Sequence, residues 1–368
     1  MDYLQKLKYH YQTEKGWMND PNGLVYFNGY YHVFYQHAPD YEVPGKQPMH
    51  WGHARTKDFL AWEELPIALY PDRDYDNNGC WSGTAIVKDG MLYLFYASVH
   101  TPEGSAELIQ TVSVAYSRDG IRFEKYEGNP VIRTYPPEGG PDFRDPAVCY
   151  WDGAYYCVMA TGNPEDRAAR LLLYKSEDLV SWRYLGVMSE WQDCQYAECP
   201  SIVPTKDGCL LTASVCPLEG DHYFFIMYGE LSADGKFTVH HIASVDKGPD
   251  QYAGQVFRDP FGRNLLLAWI PGWSYRHLAE RDVGCMSVPR ELKRTDGRIT
   301  AYPAEEVRHL FRDEHPCVKR TENGFVIERT GREPVVYEGE LRELKILVDG
   351  YVAEVFVNRG EAVYTVLL

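Results

Sequence analysis

Asp89-Gly90-Met91-Leu92-Tyr93-Leu94-Phe95-Tyr96-Ala97-Ser98 opens on a two-residue turn and runs into a dense apolar and aromatic stretch. Asp-Gly ahead of such a stretch is a hairpin signature, because a tight hairpin turn needs positive φ at its central residues. The pattern returns four times, as NGYYHVFYQ at Asn28, DGAYYCVMA at Asp152, DGCLLTAS at Asp207 and FGRNLLLAW at Phe261. The five starts are separated by 61, 63, 55 and 54 residues. A second pattern follows four of these hairpins: TKDFLAW from Thr56, SRDGIRF from Ser117, SEDLVSW from Ser176 and SADGKF from Ser232. Two motifs regenerated at a common period of several strands predict an all-β fold, a five-bladed β-propeller over residues 1–294.

After Arg294 the period is lost, and FVIERT, PVVYEG, ELKILVDG, YVAEVFVN and AVYTVLL read as short strands joined by tight turns. Residues 304–368 are therefore expected to form a small antiparallel β-sandwich.

Composition narrows the function. The 368 residues carry 37 basic and 53 acidic side chains, a net charge of −16, with no Lys/Arg cluster to gather phosphates. Nucleic acid is not an expected partner. Residues 1–20 lack an apolar signal-peptide core, and stretches such as Leu265–Ile270 are too short to cross a bilayer, so no membrane partner and a cytoplasmic location are expected. Nine scattered cysteines without a C-x-x-C pair argue against a disulfide framework or zinc site. With no D-x-D-x-D-G loop either, neither metal nor cofactor is expected.

In a propeller the strand preceding each first hairpin lines the central channel, so the repeat serves as a ruler. Asp20 lies 8 residues before Asn28, Asp145 lies 7 before Asp152, and Glu198 lies 9 before Asp207. The ruler gives these acids equivalent places. In the other two units the corresponding stretches hold Trp81-Ser82-Gly83 and Asp250-Gln251-Tyr252, which are expected to supply aromatic and polar walls. Gathered carboxylates repel one another, so a purely structural fold has little reason to collect them. Two carboxyl groups flanking a glycosidic bond are the minimum for its cleavage, one as acid and one as nucleophile or base. Asp259, in RDPFG, is read instead as a turn residue.

The blocks WMNDPNG (Trp17 to Gly23), FYQ (Phe34 to Gln36), MHWGHA (Met49 to Ala54), WSGTA (Trp81 to Ala85), FRDP (Phe143 to Pro146), ECP (Glu198 to Pro200), PREL (Pro289 to Leu292) and EVFVN (Glu354 to Asn358) resemble, in order, those of glycoside hydrolase family 32. That group contains the invertases, inulinases and levanases. The resemblance implies a retaining mechanism on β-fructofuranosides, with Asp20 as an ionised nucleophile and Glu198 as the acid that must hold a proton. It implies that Asp145 grips ring hydroxyls, and that Asn19, Gln36, Trp51, Trp81, Ser82, Arg144, Asp250, Tyr252 and Trp273 contact substrate. Sucrose or short fructooligosaccharides are the expected substrates, hydrolysis the expected outcome, and transfer to another sugar the alternative that shares the intermediate. A sugar-binding propeller without catalysis is the rival outside enzymes.

Three features depart from the pattern: Pro44 replaces a Trp-Gly pair, Ala197 stands where a tryptophan often precedes the glutamate, and the tail is short. Ala197 predicts a wider pocket near the leaving group. The short tail predicts an exposed edge and homo-oligomer contacts.

Overall fold

The computed structural model describes residues 6–40, 48–232, 235–277, 284–295 and 297–368; Pro44 lies outside them. The chain is all-β. Five antiparallel sheets follow one another, the first four with four strands each in chain order and the fifth with five. Their first strands are Trp17–Phe27, Gly79–Lys88, Asp142–Trp151, Cys194–Thr205 and Tyr252–Arg258. Each touches the first strand of the next sheet, and the fifth touches the first.

Alternation explains why the second strands read as nearly continuous apolar runs. Leu92, Leu94 and Tyr96 enter a cluster with Phe34 and Trp51 of sheet one, while Phe95 between them enters a cluster with Phe143 and Cys157 of sheet three. A strand buried on both faces has no polar phase to display. Each large side chain buried this way stabilises the fold by roughly 1.5–3 kcal/mol. The repeated outer motif is a polar turn. Ser176 Oγ accepts the Leu179 N–H at 2.9 Å, and Asp178 Oδ1 accepts those of Val180 and Ser181 at 2.9 and 2.7 Å. Thr56 with Asp58 and Ser117 with Asp119 repeat this arrangement.

The fifth sheet runs beyond Arg294: Arg298–Pro303 pairs with Arg290–Thr295, so residues left between the two expected domains extend that sheet. Two three-stranded sheets follow, Val318–Thr321 with Gly324–Ile327 and Val335–Glu338, then Leu344–Asp349 with Val352–Val357 and Ala362–Leu367. They share a core of Phe325, Ile346, Val355 and Val366. The second also packs on the fifth sheet through Leu347, Phe356 and Val363.

That junction carries a buried ionic network. Glu354 accepts from Arg290 at 2.7 Å, from the Val288 N–H at 2.8 Å, and contacts His10 Nε2 at 3.0 Å. Arg290 also reaches Asp246 at 2.7 Å, and His10 Nδ1 lies 2.9 Å from Asp349. PREL and EVFVN are thus two halves of one lock. Burial alone would lower the His10 pKa, but its bonds to Asp349 and Glu354 outweigh that and push it up to about 9. Burial likewise opposes ionisation of Glu354, and Arg290 and His10 overcome it, bringing the carboxyl down to about 2.

Candidate active site

The five first strands share one irregularity. Asn19-Asp20 oppose Gln36 alone, Trp81-Ser82 oppose Ala97, Asp145-Pro146 oppose Met159, Cys199-Pro200 oppose Ala213, and Ala253-Gly254 oppose Ala268. Each is a β-bulge, two residues against one, which bends a strand and re-aims its side chains. Asp145, Cys199 and Ala253 accordingly have φ of 58°, 47° and 53°. Such values strain a non-glycine residue and concentrate at functional sites. Gly83 ends the second bulge, where a Cβ would stand 1.9 Å from the Phe95 carbonyl oxygen.

This register corrects the sequence ruler. The acids do not occupy equivalent places: Glu198 immediately precedes its bulge, Asp145 is the first bulge residue, and Asp20 is the second. Arg144 is the counterpart of Glu198, and Cys199 that of Asp145. The stagger brings side chains of neighbouring sheets together instead of stacking like on like.

A cavity of about 460 Å³ opens there, lined by Asn19, Asp20, Gln36, Trp81, Ser82, Arg144, Asp145, Glu198, Tyr252 and Trp273 among others. Ser82 Oγ donates to Asp20 Oδ2 at 3.1 Å, and the Cys199 thiol faces the same oxygen at 3.5 Å. The Cys199 N–H donates to Asp145 Oδ2 at 2.9 Å, whereas Asp145 Oδ1 is buried with no hydrogen-bond partner among the described residues. Tyr252 donates to Glu198 Oε2 at 2.8 Å, and Arg144 donates to Glu198 Oε1 at 3.2 Å. Arg144 also reaches Asp142 Oδ1 at 2.5 Å, and its guanidinium lies 4.6 Å from the centre of the Tyr196 ring. Arg144, expected at the pocket, thus stands among these acids as their cation.

Burial raises the Asp20 carboxyl to about 6, reinforced by Glu198 and moderated by its hydrogen bonds to Asn19, Ser82 and Cys199. Burial raises Asp145 to about 7, with Glu198 and Asp20 adding to it and Arg144 opposing.

A model of the glycosyl hydrolases family 32 N-terminal domain matches residues 10–303. The chain belongs to glycosyl hydrolase family 32. It is 36% identical to a raffinose invertase of Escherichia coli, over 84% of this chain and 66% of that protein. It is 34% identical to a sucrose-6-phosphate hydrolase of Escherichia coli, over 88% of this chain and 70% of that protein. It thus spans about two thirds of the length of these relatives. A family 32 β-fructofuranosidase of Bombyx mori, solved in complex with sucrose, superposes with a TM-score of 0.85 at 27% identity, covering 99% of this chain and 89% of that one.

Two residues expected at the family 32 pocket lie elsewhere. Trp51 is fully buried between Phe34 and Tyr96, and its Nε1 donates to the Trp81 carbonyl at 2.9 Å. Its indole fills the gap between two sheets and holds the backbone of a pocket residue. Asp250, two residues ahead of its strand, is buried against the tail, accepting from Arg329 at 2.6 Å and the Leu367 N–H at 2.7 Å. Ala197 is buried in the core between sheets three and four and is not among the residues that line the cavity. Asp259 caps its turn, accepting the Phe261 and Arg263 N–H groups at 3.0 and 2.8 Å.

The sequence reading also missed lining residues, including Trp17, Asp142 and Trp269. Strand alternation was the available signal for the first two, since Trp17 stands two before Asn19 and Asp142 two before Arg144. Trp269 pairs in register with Tyr252, which only strand pairing reveals.

Proposed function

We propose that the chain is a retaining β-fructofuranosidase, releasing terminal fructose from sucrose or short fructooligosaccharides, on a five-bladed propeller followed by a reduced sandwich. The convergence of Asp20, Asp145 and Glu198 on one cavity carries this reading. Ring order and five repeated sheets support the propeller, and the match to a sucrose-bound β-fructofuranosidase supports the sugar.

Asp20 attacks the anomeric C2, the C2–O bond breaks, and the Glu198 proton passes to the leaving oxygen. Glu198 then takes a proton from the water that attacks the fructosyl-Asp20 ester. Ser82 holds Asp20 Oδ2, while Tyr252 and Arg144 fix the two oxygens of Glu198. Asp145 presents Oδ1 as acceptor for a ring hydroxyl, a bond that strengthens as positive charge develops on the sugar. Trp81 and Trp273 form apolar walls for sugar faces. Nine free cysteines, eight of them buried, fit a reducing cytoplasm.

The test is free fructose from sucrose, kestose and sucrose 6-phosphate, with wild type and Asp20→Ala. Release by wild type and its loss in the variant are expected. No release from any fructoside by wild type overturns the reading.

A further inference from the structure

The cavity lining holds four carboxylates, Asp20, Asp142, Asp145 and Glu198, and among the described lining residues one cation, Arg144. That cation is already engaged. One terminal nitrogen donates to Asp142 at 2.5 Å and to Gln110 at 3.5 Å, the other to Glu198 at 3.2 Å, and its carbon lies over the Tyr196 ring. Asp142 is about 39% exposed, so it meets an incoming ligand as well as Arg144. The neutral part of the lining includes Trp17, Met49, Asn78 and Trp269, surfaces suited to uncharged sugar rings.

We propose that this site selects neutral fructosides over phosphorylated ones, and that Asp142 is the residue that sets this selection. The proposal rests on the β-fructofuranosidase reading and deepens it. A phosphate on the leaving hexose carries about two negative charges near pH 7. Within a cavity of about 460 Å³ it stands inside a Debye length of all four carboxylates, so salt screens the repulsion poorly. Asp142, Gln110 and Glu198 hold donors on both terminal nitrogens of Arg144, so an incoming phosphate competes with the two acids for its charge. Releasing Glu198 would disturb the acid, so Asp142 is the partner whose removal changes selectivity.

The experiment compares kcat/KM for sucrose and sucrose 6-phosphate in wild type, Asp142→Asn and Asp142→Lys at one pH and ionic strength. Taking the ratio within each variant removes any difference in the amount of folded enzyme. Wild type is expected to favour sucrose by at least about tenfold. The phosphate-to-sucrose ratio should rise several-fold in Asp142→Asn and further in Asp142→Lys. Equal or better use of sucrose 6-phosphate by wild type overturns the proposal, as does a flat ratio across the three proteins. Silence on both substrates instead overturns the hydrolase reading, and the proposal falls with it.

Discussion

Two groups of acids in this protein are balanced in opposite ways. At the junction with the tail, Glu354, Asp349 and Asp246 face Arg290 and His10, and every described carboxylate has a cation within 3.0 Å. At the cavity, four carboxylates stand beside one cation among the described lining residues, Arg144, which pairs with Asp142 and Glu198. Burial opposes charge in both places, but pairing reverses the outcome at the junction, where Glu354 and Asp349 fall to about 2. Pairing falls short at the cavity, where Asp20 and Asp145 rise to about 6 and 7. One cluster holds the fold together; the other keeps carboxyl groups under strain where chemistry can use them.

The largest effect that separates the two clusters is on rate. Asp20→Asn should lower kcat on sucrose by a factor on the order of 10⁴ or more without lowering the melting temperature. A variant that melts early and keeps its turnover would reverse the roles assigned here. Glu354→Gln should do the opposite, costing roughly 3–5 kcal/mol in denaturant unfolding, because it leaves Arg290 buried with a partner missing. Its effect should depend on pH. Glu354 is depressed, so its contribution is present above the ordinary carboxylate range and lost as pH falls toward 2. His10 is raised, so its contribution is full below about 6.5 and lost as pH climbs through 9. The difference between wild type and Glu354→Gln should therefore be greatest between about pH 4.5 and 6.5.

Asp145→Asn sharpens the contrast from the other side. A carboxyl raised in the folded state favours folding while protonated and opposes it once ionised, so its penalty grows as pH rises from about 4 through 7. The variant should gain roughly 2–4 kcal/mol at pH 8 and nothing near pH 4, measured by denaturant midpoints. Equal gains at both pH values would remove charge as the cause. The smallest expected effect lies outside both clusters. Asp178→Ala removes the acceptor of two backbone N–H groups in an exposed outer turn and should cost about 1 kcal/mol with activity unchanged.

The sequence made the repeat legible because Asp-Gly turns and alternating apolar residues are local signals, independent of what the chain packs against. It placed three acids near one end of five strands for the same reason. It could not see that the first strands bulge, and so treated Glu198 and Asp145 as equivalents when they differ by one register step. Trp51, from the family resemblance, and Asp250, from the repeat, both look like site residues, but their partners, Trp81 and Arg329, lie 30 and 79 residues away along the chain. Cross-sheet neighbours of that kind leave no periodic trace. Asp142 escaped notice although it stands two residues from Arg144, because an acid beside an arginine on a strand reads as an ordinary surface pair.

The five bulges also say something about how such a site can change. At each, two residues answer one across the ladder, and Trp81-Ser82 and Asp145-Pro146 sit within otherwise regular pairing. Pairing resumes after each bulge whether its two residues include an acid, a thiol, a hydroxyl or an indole. These positions behave as sockets of a common gauge, so mutation can refit one without retooling the strand that carries it. A fold with five such sockets around one mouth can exchange reactivity piecemeal, keeping its architecture while its chemistry drifts.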